Sequence, residues 1–188
     1  MQVGVIAIQG DFEKHITSLL ACGLGASEVL QVRTPEDLSR VDRAIIPGGE
    51  STTVGLLMER YGLGSALKDA AAKGMPLWGT CMGMIMMASK VVGRSQYTLE
   101  LLDIEVERNA FGAQVHSFED EVLVDGIDTP VLGVFIRAPI VTKVHSPAVA
   151  TASYGGKIVA VRQGNLIGTS FHPELTDDVR LHQYFLTL

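Results

Sequence analysis

The sequence predicts an α/β protein of three layers, α/β/α, built on a central mixed sheet with an antiparallel extension. Two patterns lead there. Up to about residue 90, short continuously apolar segments alternate with amphipathic ones, which predicts parallel strands covered by helices on both faces and ligands gathering at the carboxyl ends of the strands. Beyond residue 100 the rhythm changes to short segments of alternating polarity separated by turn residues, which predicts antiparallel strands. With 188 residues and 47% apolar content, residues 1–188 are expected to form one domain with one sizeable core.

Val3 to Ile8 reads as a buried strand, ended by Gln9-Gly10-Asp11 with Asp11 as the cap of the next helix. That helix runs from Phe12 to Ala21, with Phe12, Ile16, Leu19 and Leu20 on one face, and closes at Cys22-Gly23, where Cys22 is a packing residue. Ser27 to Val32 gives a second strand, Thr34 to Leu38 a short helical start and Arg43 to Ile46 a third strand. Helices to about Arg60 and from Ser65 to Lys73 lead to an apolar strand ending at Thr80. In the second half, Leu101–Glu107, Val122–Val124, Gly133–Ile136, Ala148–Ala152, Ile158–Val161 and Leu166–Phe171 read as strands. Tyr154-Gly155-Gly156-Lys157 and Gln163-Gly164-Asn165 are hairpin signals, and Asp177 to Leu188 is a closing helix.

Composition narrows the function. A formal net charge of −6 with no basic run argues against nucleic acid and anionic membranes as partners. No apolar run reaches the roughly 18 residues that span a bilayer. Two cysteines in different elements, with no secretory signal pattern ahead of the first strand, indicate a cytoplasmic protein.

The chemistry centres on Gly79-Thr80-Cys81-Met82-Gly83, where a buried strand turns sharply into an apolar run of helix formers. The two glycines remove side chains that would collide as the chain reverses, and the turn aims the Cys81 thiol outward at the start of a helix. The helix dipole there favours the thiolate, the form that attacks carbonyls. Pro47-Gly48-Gly49-Glu50-Ser51-Thr52 ends the third strand. Its glycines suit an oxyanion hole or an ordinary turn, and it lacks the spacing and lysine of a phosphate loop. In Ser170-Phe171-His172-Pro173-Glu174 the proline keeps His172 extended, so His172 and Glu174 face the same side and form a base with its orienting carboxylate. His15, His116, His145 and His182 read as solvated or capping residues. No H-E-x-x-H or C-x-x-C spacing occurs, so neither a metal nor a cofactor is expected.

These three segments together resemble the class I, triad-type glutamine amidotransferases. With Val106-Glu107-Arg108-Asn109-Ala110-Phe111-Gly112, Gly133-Val134-Phe135-Ile136-Arg137-Ala138-Pro139 and His172-Pro173-Glu174-Leu175-Thr176, nearly the whole chain resembles the glutaminase subunits of pyridoxal 5′-phosphate synthases. The resemblance implies a flavodoxin-like fold and hydrolysis of L-glutamine, with ammonia passed to a synthase subunit that activates the glutaminase. It implies Cys81 as nucleophile, His172 as base, Glu174 as orienter, and the backbone N–H groups of Gly49 and Met82 as oxyanion donors. Gly48, Gly49, Glu50, Arg108, Ile136 and Arg137 match glutamine-binding positions. The arginines suit carboxylate partners, and Arg108 equally suits a structural salt bridge. Three features depart from the family pattern: Met82 in place of alanine, the methionine-rich segment after it, and Ala113 and His116 in place of an arginine and an acid. Met82 is also the feature that favours a competing reading, a non-catalytic subunit that only binds a partner.

Overall fold

The computed structural model describes residues 1–111 and 117–188. The chain runs β1 (Val3–Ile6), α1 (Phe12–Ala21), β2 (Val29–Val32), α2 (Pro35–Leu38), β3 (Arg43–Ile46), α3 (Ser51–Arg60), α4 (Leu63–Ala72), β4 (Leu77–Thr80) and α5 (Met82–Met87). It continues through β5 (Ala88–Val91), β6 (Leu102–Glu107), β7 (Ser117–Val122), β8 (Val131–Ile136), β9 (Ile140–Val144), β10 (Val149–Tyr154), β11 (Lys157–Gln163) and β12 (Leu166–Thr169) to α6 (Arg180–Leu186).

The larger sheet has the order β2-β1-β3-β4-β12-β11-β9-β6-β5, with β10 paired on β11. From β2 to β12 every pairing is parallel, and β12 to β11 begins the antiparallel part. Successive strand residues enter two separate cores: Ala44, Ile46 and Leu77 one, Ile45 and Trp78 the other. That two-residue alternation places the cores on opposite faces of the sheet. Leu38 of α2, Val54 and Met58 of α3 and Leu63 and Leu67 of α4 close the first. Leu19 of α1 and Leu181 and Phe185 of α6 close the second. The expected three layers result.

Several expectations change in detail. β7 and β8 form their own two-stranded sheet rather than extending the main one. Their aromatic residues explain this, since Phe118 and Phe135 stack at 4.6 Å and Phe135 meets Phe171 at 5.4 Å, so the ribbon packs over the core. The strand expected at Val122–Val124 is instead Ser117–Val122. The methionine run gives only six helical residues, because Ala88 turns extended and pairs with Leu102, creating the unanticipated β5. β9 was also unanticipated. Asp11 makes no side-chain capping bond, and Leu20 is exposed while His15 takes its place on the buried stripe of α1.

β3, β4 and β12 are parallel neighbours, with Ile46 opposite Gly79 and Thr80 opposite Thr169. The segments that follow them, beginning at Pro47, Cys81 and Ser170, therefore leave the sheet side by side at one end. The backbones meet tightly there: a Cβ on Gly79 would collide with the Gly83 carbonyl group, and one on Gly83 with the Ile46 carbonyl oxygen. Gly83→Ala is expected to cost about 1–3 kcal/mol, read as a lower urea midpoint at unchanged m-value. Gly25→Ala, whose Cβ meets only the end of the Glu28 side chain, should stay within about 0.5 kcal/mol.

Candidate active site

Cys81 sits at the corner between β4 and α5 with φ 49° and ψ −104°, a conformation that L-residues adopt at a cost. The surroundings impose it: the Cys81 N–H donates to the Thr169 carbonyl at 2.7 Å, while its own carbonyl accepts from Ile85 N–H at 3.3 Å. The outward-facing thiol expected from the sequence is more enclosed than that, because the residue is only 9% exposed. Its Sγ lies 4.0 Å from the Ile136 carbonyl oxygen, at the end of β8.

His172 is held by its N–H donating to Val134 O at 2.8 Å and by its Nδ1 meeting Glu174 Oε1 at 2.7 Å. Glu174 arrives on a 3₁₀ turn, Pro173–Leu175, rather than on the extended chain expected, and reaches the same face of the ring. Burial works against a charged imidazole, but bonds to Cys81 and Glu174 outweigh it and push the His172 pKa up to about 10. Burial likewise opposes the Glu174 carboxylate, which His15 and His172 nevertheless hold below its ordinary range. At neutral pH the pair is therefore imidazolium and carboxylate, beside the Cys81 sulfur.

Two residues the sequence reading set aside stand behind this pair. His15 and His182, expected to be solvated or capping, are completely buried. His15 Nε2 lies 3.4 Å from Glu174 Oε2 and 3.1 Å from Thr80 Oγ1, and His15 Nδ1 lies 2.9 Å from His182 Nε2. The sequence did carry a signal, since His15 is three residues from Phe12 and four from Leu19, on the apolar stripe of its helix. Desolvation lowers both histidines, His182 to about 3, so they are neutral; the His15 Nε2 hydrogen bond goes to Thr80 Oγ1, and Glu174 Oε2 is an electrostatic neighbour at 3.4 Å. His145 is exposed as expected, while Gly112, Ala113 and His116 lie outside the described residues.

On the other side, Gly48 is buried against His172: a Cβ there would collide with His172 Cε1. Gly49 is exposed, and the Met82 side-chain end lies against it. Glu50 caps α3, accepting from Thr53 N–H at 2.8 Å and Thr52 N–H at 3.1 Å, which holds its pKa at about 2. Arg108 is 3.6 Å from Glu50 Oε1, so the salt-bridge reading of that arginine is realised in the unliganded site. Ile136 and Arg137 are exposed beside Cys81, Arg137 with φ 46°. Among the described residues only Asp11, His172 and Glu174 have the spacing of a metal site, and two of those donors are already bonded to each other.

The SNO glutamine amidotransferase family profile matches residues 5–188. The chain belongs to that family. It is 47% identical over 188 residues to the pyridoxal 5′-phosphate synthase subunit PdxT of Geobacillus sp. (strain WCH70), covering 100% of this chain and 96% of the relative. The PdxT subunit of Desulforamulus reducens is 49% identical over 189 residues, covering 100% and 99% of the two chains. A crystal structure described as a glutamine amidotransferase superposes with a TM-score of 0.94 at 44% identity, covering 100% of this chain and 98% of the other. PurLQS from Thermotoga maritima, at 18% identity and a TM-score of 0.70 over 99% of this chain and 97% of the other, shares the fold. The chain is thus an enzyme of the glutamine amidotransferase class with the flavodoxin-like fold. No helix among the described residues is long and apolar enough to cross a membrane.

The buried histidines set the acid response. A group whose pKa is lower folded than unfolded stabilises the fold above its unfolded pKa and loses that contribution as pH falls. For His182 the window runs from 6.5 down to about 3. His15 and Glu174, also lowered, add in the same direction, whereas His172 is protonated in both states below 6.5. Stability should fall on acidification from pH 6.5 by about 1.4 kcal/mol per pH unit through His182, with His15 adding in the same direction. Urea titrations between pH 7 and 4.5 should show this steep loss, and His182→Phe should flatten it.

Proposed function

We propose that this chain is a single glutaminase domain that hydrolyses L-glutamine to L-glutamate and ammonia in the cytoplasm and delivers the ammonia to a pyridoxal 5′-phosphate synthase subunit. The observation that carries the chemistry is the His172 Nδ1–Glu174 Oε1 bond at 2.7 Å beside a sharply turned Cys81. The identity to PdxT subunits along the whole chain supports the synthase as acceptor, and two unpaired cysteines accord with a reducing compartment.

Cys81 thiolate attacks the side-chain carbonyl carbon of glutamine, and the C=O electron pair moves onto oxygen, where the N–H groups of Gly49 and Met82 receive it. The C–N bond breaks as His172 gives its proton to the departing amine, leaving a glutamyl thioester and ammonia. Water, deprotonated by His172, attacks the thioester, and the second tetrahedral intermediate expels Cys81. Glu174 holds the imidazole throughout. Arg108 and Arg137 suit the substrate carboxylate and Glu50 its ammonium. The Ile136 carbonyl, 4.0 Å from the sulfur, is placed to accept from the amide NH₂. The contact of Met82 with Gly49 favours a second reading, a non-catalytic partner-binding subunit. A glutamine-mimicking electrophile separates the two, since labelling of Cys81 suppressed by free glutamine excludes the second.

Cys81→Ala should abolish turnover with the fold intact. His172→Asn should lower kcat by about 10²–10⁴-fold, and Glu174→Ala by less. A larger loss for Glu174→Ala than for His172→Asn would reverse the assigned roles. The Gly48-Gly49 peptide is the candidate point of control, because glycine allows its N–H to turn toward or away from the oxyanion. Steady-state kinetics with and without the synthase should show kcat rising about 10²–10³-fold with little change in KM. An equal kcat in both conditions would mean a preformed hole.

A further inference from the structure

We infer that His15 and His182 are positioning residues of the glutaminase reaction, a buried imidazole pair that presents one N–H to the second oxygen of Glu174 and extends the catalytic triad into the core. The inference rests on the function proposed above and goes beyond the triad.

The charge on Glu174 fixes the direction of the chain. His15 Nδ1 and His182 Nε2, 2.9 Å apart, share one proton. If His182 donates, His15 accepts at Nδ1 and carries its own proton on Nε2, which donates to Thr80 Oγ1 at 3.1 Å and faces Glu174 Oε2 at 3.4 Å. In the reverse arrangement Thr80 donates to His15 Nε2, whose lone pair faces the carboxylate, and His182 Nδ1–H becomes a buried donor with no acceptor. Neither Glu174 Oε2 nor His182 Nδ1 has a hydrogen-bond partner among the described residues. The first arrangement therefore wins, because a buried carboxylate attracts an N–H and repels a lone pair.

The consequence reaches the nucleophile by two routes. An N–H facing Oε2 at 3.4 Å favours the ionised Glu174, whose Oε1 holds His172 Nδ1 at 2.7 Å. The same imidazole bonds Thr80, the residue before Cys81. Trp78 completes the enclosure, edge-on to His182 at 4.9 Å, with its Nε1–H donating to Thr169 Oγ1 at 3.1 Å. The other charged groups facing the pair are His172, Asp11 at the start of α1 and Asp178 ahead of α6.

The test compares His15→Leu, which removes the donor, with His15→Gln, whose amide N–H falls near the place of imidazole Nε2. Glutamine hydrolysis is followed in the presence of the synthase subunit, Cys81 alkylation by chloroacetamide as a function of pH, and the histidine tautomers of the wild type by ¹⁵N NMR. His15→Leu should lose about 10- to 100-fold in kcat with KM little changed, the loss associated with one hydrogen bond to a buried charge. The acid limb of its alkylation profile should move to higher pH, His15→Gln should recover most of both, and wild-type His15 should carry its proton on Nε2. A folded His15→Leu with wild-type kcat and profile, a glutamine variant as impaired as the leucine variant, or a proton on His15 Nδ1 would overturn the inference. If His15→Leu does not fold, the wild-type tautomer decides. A wild type that neither turns over glutamine nor is labelled at Cys81 would instead reject the glutaminase reading, and the tautomer would still decide the donor chain.

Discussion

The rest of the structure depends on one buried carboxylate. Glu174 is 3% exposed, and an ionised carboxylate in such a place persists only when donors replace the water it has lost. One comes from His172 on the segment after β12, and His15 on α1, itself backed by His182 on α6, faces the second oxygen at 3.4 Å. The helical layer on that face of the sheet thus meets the end of the sheet that carries Cys81 and His172 around a single charge. Substitutions on α1 or α6 that look like core changes fall on the neighbours of that charge.

The opposite face contributes shape rather than charge. Gly79, Gly83 and Gly48 lie where backbones or the His172 ring approach too closely for any side chain. The elbow can hold Cys81 at positive φ because β12 fixes its N–H and α5 its carbonyl, so the strain is shared by neighbours that cannot move independently. Polar satisfaction on one side and steric exclusion on the other converge on the ring of His172.

Much of this was legible in the sequence, and the failures have physical causes. The parallel half was readable because β1, β3 and β4 are buried on both faces over nearly their whole length and so carry near-continuous apolar runs. The meeting of Cys81, His172 and Glu174 was readable because each sits in a short segment whose glycine or proline dictates the backbone. The β7-β8 ribbon was misplaced because alternating polarity marks a strand without saying which sheet it joins; the packing of Phe118 on Phe135 and of Phe135 on Phe171 decides that. β5 was missed because a methionine run is a good helix former until tertiary pairing overrides it. His15 was set aside although its place on the apolar stripe of α1 marked it for burial, because nothing local says that its neighbour in space is a carboxylate 159 residues away on the chain; the packing of α1 and α6 decides that.

The two glutamates of the site show how environment divides the labour. Glu50 is kept ionised by the N–H groups at the start of α3, and its exposed pairing with Arg108 at 3.6 Å is of the kind worth at most about 1 kcal/mol. An arginine held so lightly exchanges partners readily, which suits the proposed binding of a substrate carboxylate. Glu174 has no such freedom, because releasing His172 would leave a buried charge unpaired. The proposed reaction needs both behaviours within one site, an arginine that can let go of its carboxylate to bind substrate and a base whose carboxylate cannot let go during the proton transfers.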